Sequence, residues 1–245
     1  MVLINTRNPL NIGAIARAMS NFGFADLRVV NPYEASFREA RSAVGPASKV
    51  LARAREYKSV SEAVADCTLV VGTTAAGRRE LQHPLKRLDD AAKPIRKHLS
   101  RGRVALLFGS EKRGLSNEDF SRCHWLLRIP TREEHGSMNL GQAAAVCLYE
   151  LVRELKPYRR AGKSHEAMDR KEKNWTVGPA SAGELDRITS LLLDTLRASG
   201  YLAVRPSSTA DEKVRRMVHR LNLSSSDAQL WLGMLRQIAW KMAQE

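Results

Sequence analysis

Val104-Ala105-Leu106-Leu107-Phe108-Gly109-Ser110-Glu111-Lys112-Arg113-Gly114-Leu115-Ser116-Asn117-Glu118-Asp119 passes from an unbroken apolar run, through a polar loop bounded by glycines, to a helix start. Apolar residues without alternation fit a strand covered on both faces, the habit of parallel sheets. Ser116 to Asp119 is a near capping box, so a short helix is predicted to follow. Similar runs recur at Val2 to Ile4, Leu27 to Val30, Thr68 to Val71 and Leu126 to Ile129, mostly separated by helical periodicity. The alternation predicts an α/β fold: a parallel sheet with helices on both faces.

The clearest helix carries Ile12, Ile15, Ala16, Met19 and Phe22 on one stripe, with Gly23 as its C-terminal stop. Another runs from about Asn139 to Leu155 and ends before Pro157. From Tyr158 the apolar period fades into a basic, polar stretch. Beyond it, three helical patterns appear: Leu185, Ile188, Leu191, Leu192 and Leu196, ending at Gly200; Val214, Met217, Val218 and Leu221; and Leu230, Trp231, Met234, Leu235 and Ile238, entered through Ser224 to Asp227. Three parts are expected: an α/β body over 1–157, a basic linker over 158–182 and a small all-helical C-terminal domain over 183–245.

The 245 residues include 40 Lys and Arg against 26 Asp and Glu, a net charge of +14. Such an excess favours a polyanionic partner, of which nucleic acid is the commonest. Residues 1–157 hold +9 of it, so the charge belongs to the body rather than to a detachable basic tail. No apolar run approaches the roughly 18 residues of a membrane span, and the first residues lack a signal-peptide pattern, so a cytoplasmic location is expected. Cys67, Cys123 and Cys147 are odd in number and far apart, and the six histidines lack metal-ligand spacing; neither a disulfide framework nor a metal site is expected. The glycine patterns of dinucleotide folds, P-loops and hydrolase elbows are absent.

Three polar, glycine-bearing loops carry the chemistry. Asn5 to Gly13 leads into the first helix, whose start offers free N–H groups to an anion; Arg7 reads as a phosphate contact or a solvated cation. Arg17 lies off the apolar stripe and, taken alone, reads as a solvated arginine. In the second loop, Gly109 follows a strand, where a ligand can approach the backbone, and Glu111 either orients an arginine or balances charge. In the third, Glu133 to Ala143, Ser137 or Asn139 could simply cap the helix, and His135 could be a general base or a solvent-exposed bystander.

Read together and in order, N-x-G-A-x-A-R-A-M, F-G-S-E-x-x-G-L-S and S-x-N-L-x-x-A resemble the three signature motifs of the SpoU group of SPOUT RNA methyltransferases, over roughly residues 1–157. The tail, with Leu185-Asp-Arg, Gly200-Tyr and Lys213-Val-Arg-Arg, is similar to the C-terminal extension of the tRNA-modifying TrmJ branch. The resemblance implies a C-terminal trefoil knot, a homodimer whose active site draws on both subunits, and transfer of a methyl group from S-adenosyl-L-methionine to a ribose 2′-hydroxyl of tRNA, at cytidine or uridine 32 of the anticodon loop. Ribosomal RNA is the alternative substrate, and non-catalytic RNA binding the alternative role. By the same resemblance Arg17, Asn11, Glu111, Ser137 and Asn139 are catalytic. Thr73, Thr74, Ala75, Gly109, Ile129, Gly136, Ser137 and Met138 would line the cofactor site, and Arg7, Lys112 and Arg113 would meet RNA. His135 stands where the branch often has an aromatic residue. Because a guanidinium stays protonated, Arg17 is expected to stabilise a developing alkoxide rather than to accept a proton. The helical tail is expected to be separable from the cofactor site.

Overall fold

The fold was read from a computed structural model that describes residues 1–33, 40, 45–75, 81–132, 134, 136–154, 178–203 and 208–244. Seven parallel strands form one sheet in the order β3-β2-β1-β6-β4-β7-β5. They are β1 (Val2–Ile4), β2 (Arg28–Val30), β3 (Arg55–Tyr57), β4 (Leu69–Thr73), β5 (Leu85–Arg87), β6 (Val104–Phe108) and β7 (Trp125–Arg128). The described helices are α1 (Pro9–Asn21), α2 (Pro46–Ala52), α3 (Val60–Val64), α4 (Leu88–Leu99), α5 (Asn117–Ser121), α6 (Leu140–Val152), α7 (Ala182–Ala198), α8 (Ser208–Arg220) and α9 (Ser225–Met242).

Successive strand residues feed opposite cores, as the strand period of two requires. Leu3, Leu69, Val71, Leu106, Phe108 and Leu127 face the layer of α1, α2, α4 and α6. Val2, Ile4, Val70, Ala105, Leu107 and Leu126 face α3, α5 and the start of α7. The five runs expected as strands are the five inner ones. Sequence reading missed β3 and β5, which are the two edges: Arg55, Glu56, Leu85 and Arg87 are solvent-facing there, so no apolar run marks them. Asn8 caps α1, and Ser116 and Asp119 complete the capping box at α5. The three cysteines are free and buried, and burial raises their thiol pKa values, to about 12 for Cys67 and Cys147.

Below the sheet's amino ends, the buried Arg28 guanidinium bridges Asp26 (2.9 Å) and Asp66. Burial alone would raise both carboxyls, but hydrogen bonds from Arg28 and its arginine neighbours prevail and lower them, Asp26 to about 2.

The three tail helices form where expected, and Gly200 sits at φ 76°, beyond the end of α7. Two departures concern how they pack. Met217, Leu221, Leu230, Met234 and Ile238, which mark the helical periods, are exposed; α9 buries only Ala228, Leu232 and Leu235, because it packs chiefly against α7. The tail also lies directly on the body. Asp186 of α7 pairs with Arg122 (3.1 Å) and accepts from Ser61, while Arg215 of α8 donates to Ser121 (2.9 Å). Most of the linker expected over 158–182 lies outside the described residues. Its last part is built into the fold: Ala180 N–H bonds Leu223 O (2.9 Å), and Ser181 caps α7.

His124 of the body and His219 of the tail meet edge to face at 5.1 Å in this seam. His124 Nδ1 accepts from the Val70 N–H (3.2 Å), which requires a neutral ring. Burial pushes His124 down to about 4 and His219 well below its ordinary value, with nearby His and Arg charges adding to the effect. The unfolded chain, titrating near 6.5, binds more protons, so this contribution is complete above that pH and disappears as pH falls toward 4. It amounts to at most about 3 kcal/mol for His124. Urea unfolding from pH 7 to 4 should show stability falling with acidification, and His219→Leu should flatten the fall; an unchanged slope would remove His219 from the titrating seam.

Candidate active site

At the carboxyl ends of β4, β6 and β7, where α/β sheets place ligands, the three loops expected from sequence surround a cleft of about 600 Å³. Thr73, Thr74 and Ala75 leave β4, Gly109 to Gly114 follow β6, and Ile129 and Gly136 to Asn139 run from β7 into α6; all face it. Asn11 enters from α1. Phe108, Leu115 and Leu140, apolar letters of the second and third motifs, add walls to the cleft, as do Phe120 and Leu127, which lie in no motif and which sequence reading did not single out.

A hydrogen-bonded relay ties the loops together. The Glu111 carboxylate accepts from the backbone N–H groups of Arg7 (3.2 Å) and Asn8 (3.0 Å) and from Asn11 Nδ2 (3.1 Å). Asn11 Oδ1 accepts from Asn139 Nδ2 (3.0 Å), and Asn139 Oδ1 accepts from the N–H groups of Gly141 (2.9 Å) and Gln142 (3.3 Å) at the start of α6. Partial burial works to raise the Glu111 pKa, but the hydrogen bonds from its own backbone, Asn11, Asn8 and Arg7 outweigh it and the net shift is downward. Glu111 therefore stays an acceptor, oriented on loop one rather than on an arginine. Asn139 caps α6 and also faces the cleft.

Gly109 has a reason of its own. A Cβ there would stand 2.1 Å from the Gly114 carbonyl carbon and 2.3 Å from the Leu115 nitrogen, because the 110–114 loop folds back over it. The protein's own backbone, not a ligand's approach, excludes a side chain. Thr73 spends its hydroxyl on Leu107 O (2.7 Å), which fixes the mouth of β4. Lys112 and Arg113 line the cleft; Arg7 and Arg17 do not. Arg17 points outward from α1, on the face that exposes Leu10. His135 lies outside the described residues.

Residues 1–149 match the SpoU rRNA Methylase family. The chain belongs to this family. The match extends to whole-chain relatives: a tRNA (cytidine/uridine-2′-O-)-methyltransferase TrmJ from Sodalis glossinidius is 31% identical over 97% of this chain and 90% of its own. A tRNA (cytidine/uridine/adenosine-2′-O-)-methyltransferase TrmJ from Pseudomonas aeruginosa is 32% identical over 97% of this chain and 92% of its own. Among solved structures, TrmJ from Z. mobilis superposes with a TM-score of 0.78 at 28% identity, covering 97% of both chains. The similarity thus includes the helical tail of this SpoU-family chain.

Two substitutions test the geometry. Gly109→Ala should lower the melting temperature even without ligand, through forced movement of the 110–114 loop; an unaltered melting temperature would show the loop to be pliable. Asn11→Asp would set a second carboxylate against Glu111 and remove a donor, costing about 1–3 kcal/mol at pH 7. The deficit in urea unfolding should shrink toward pH 5 as the pair takes up a proton; a deficit independent of pH would contradict the Glu111–Asn11 contact.

Proposed function

We propose that the protein methylates the ribose 2′-hydroxyl of cytidine or uridine in tRNA, at position 32 of the anticodon loop, using S-adenosyl-L-methionine. The observation that carries this reading is the whole-chain likeness, tail included, to tRNA 2′-O-methyltransferases, together with the convergence of the three loops on one cleft. The lining fits the cofactor: Phe108, Leu115, Leu127, Ile129 and Met138 offer apolar walls for an adenine, beside the loop backbones at 73–75 and 136–138. When bound there, the cofactor supplies an electrophilic methyl group. The chain must orient the hydroxyl and stabilise its charge as its proton leaves. Ser137 and Asn139 border the cleft and are assigned the first task.

Arg17 is assigned the second, in a second copy's cleft. Its outward position on the face of α1 that exposes Leu10 (79% exposed), with Tyr149 of the neighbouring α6 54% exposed, supports a homodimer built on the α1/α6 face, with each site composed from two chains. Arg7, Lys112 and Arg113 are assigned to tRNA phosphates. In this reading 1–157 is the methyltransferase unit, knotted through its last strands and loops, 158–182 links it to the tail, and 183–245 recognises tRNA. None of the described helices is long and apolar enough to cross a membrane, in keeping with work on tRNA in the cytoplasm.

Labelled S-adenosyl-L-methionine with bulk tRNA or ribosomal RNA tests the reading: label in a tRNA ribose is expected, and label only in ribosomal RNA, or none, overturns it. Arg17→Ala should lower turnover about a hundredfold or more with cofactor affinity preserved. Mixing it with Asn139→Ala should restore activity through mixed dimers that hold one intact composite site. Failure of the mixture to exceed either parent would place Arg17 outside the site.

A further inference from the structure

The tail touches the body at α5, and α5 is part of the cleft wall. Phe120 and, just before the helix, Leu115 line the cleft and belong to the apolar cluster beneath it. At five residues α5 has little intrinsic stability, so its place is set by what packs around it. On one side the His83 ring lies 6.4 Å from the Phe120 ring. On the other is the tail. Ser121, the residue after Phe120, is fully buried; its hydroxyl donates to Glu118 O (2.7 Å) and so can only accept from Arg215 Nη1 (2.9 Å) of α8. Next along, Arg122 is held by Asp186 of α7.

Arg215 is half-buried, repelled by Arg122 and attracted by Asp186, Glu118 and Asp211. Among the described residues it forms no ion pair; its contact is the Ser121 hydroxyl. A cation set beside another cation and given a hydroxyl partner contributes little net stability. What it supplies is a fixed distance between α8 and α5.

We infer that α8 positions the cofactor wall of its own chain, with Arg215 as a positioning residue acting through Ser121 on Phe120. The tail is then not separable from the cofactor site, and whatever it binds is felt at the cleft. This rests on the reading of the cleft as an S-adenosyl-L-methionine site.

Calorimetry of the full-length protein with S-adenosyl-L-methionine, without RNA, tests it. Arg215→Ala and Ser121→Ala should each weaken binding at least about fivefold, the lower end of typical coupling between sites, and the double variant should be no worse than either single. Arg215→Lys should recover part of the loss. Arg197→Ala, which breaks the α7–α8 pair with Asp211 (2.7 Å) but does not reach α5, should lower the melting temperature and leave affinity unchanged. Unchanged affinity in folded Arg215→Ala and Ser121→Ala proteins overturns the inference, as does an additive double variant or an equal loss in Arg197→Ala. A wild-type protein that fails to bind the cofactor would instead overturn the reading of the cleft.

Discussion

The Glu111 carboxylate is the constraint on which the site depends. Loops one and two are about a hundred residues apart in sequence, and this side chain joins them through three hydrogen bonds while Asn11 passes the connection to loop three. Asn11 uses its oxygen and one amide hydrogen inside this relay and is 7% exposed. A residue so committed has little left for a substrate. Its part, like that of Glu111, is to hold the start of α1 against the start of α6, where Gly141 already allows α6 to approach Ala14 of α1 so closely that a Cβ would stand 2.7 Å from it. Site geometry and helix packing are one problem here.

Much of this was legible in the chain because it is written in short-range patterns. The inner strands are apolar without interruption because both faces are covered, and the caps Ser116 and Asn139 sit immediately before the helices they start. Edge strands escape such a reading. Arg55-Glu56-Tyr57 and Leu85-Lys86-Arg87 pair on one side only, and apart from Tyr57, which packs against a core cluster, their side chains answer chiefly to solvent. The three loops could be recognised as a set, yet the roles within them could not be assigned from residue type: a glutamate that clamps backbone N–H groups and one that orients an arginine look alike in one dimension.

Gly109 and the tail illustrate a second limit. A glycine after a strand signals close approach, but not whose backbone approaches; here it is that of Gly114 and Leu115. In the tail, the apolar period located each helix but could not tell which face α9 buries, since Leu230, Met234 and Ile238 repeat at helical spacing as regularly as Ala228, Leu232 and Leu235 do. Periodicity shows that a face exists; only the neighbouring element decides whether it is covered.

The seam between tail and body follows from the same reasoning and was invisible for the same cause. Ser61, Ser121, Arg122, Asp186 and Arg215 are ordinary polar residues whose partners lie up to 125 positions away, none in a motif. Their placement decides a functional question. A helical unit tethered only through its linker could change its partner without disturbing chemistry, whereas one whose Arg215 is hydrogen-bonded to the residue after Phe120 cannot shift without moving a wall of the cleft. The Glu111 relay fixes the cleft from the α1 and α6 side, and the seam fixes it from the α5 side. Between those two supports lie Ser137 and Lys112, cleft residues that belong to neither support. The side chains of Glu111 and Asn11 hold the cleft in shape from one side through hydrogen bonds within the chain, as Arg215 does from the other.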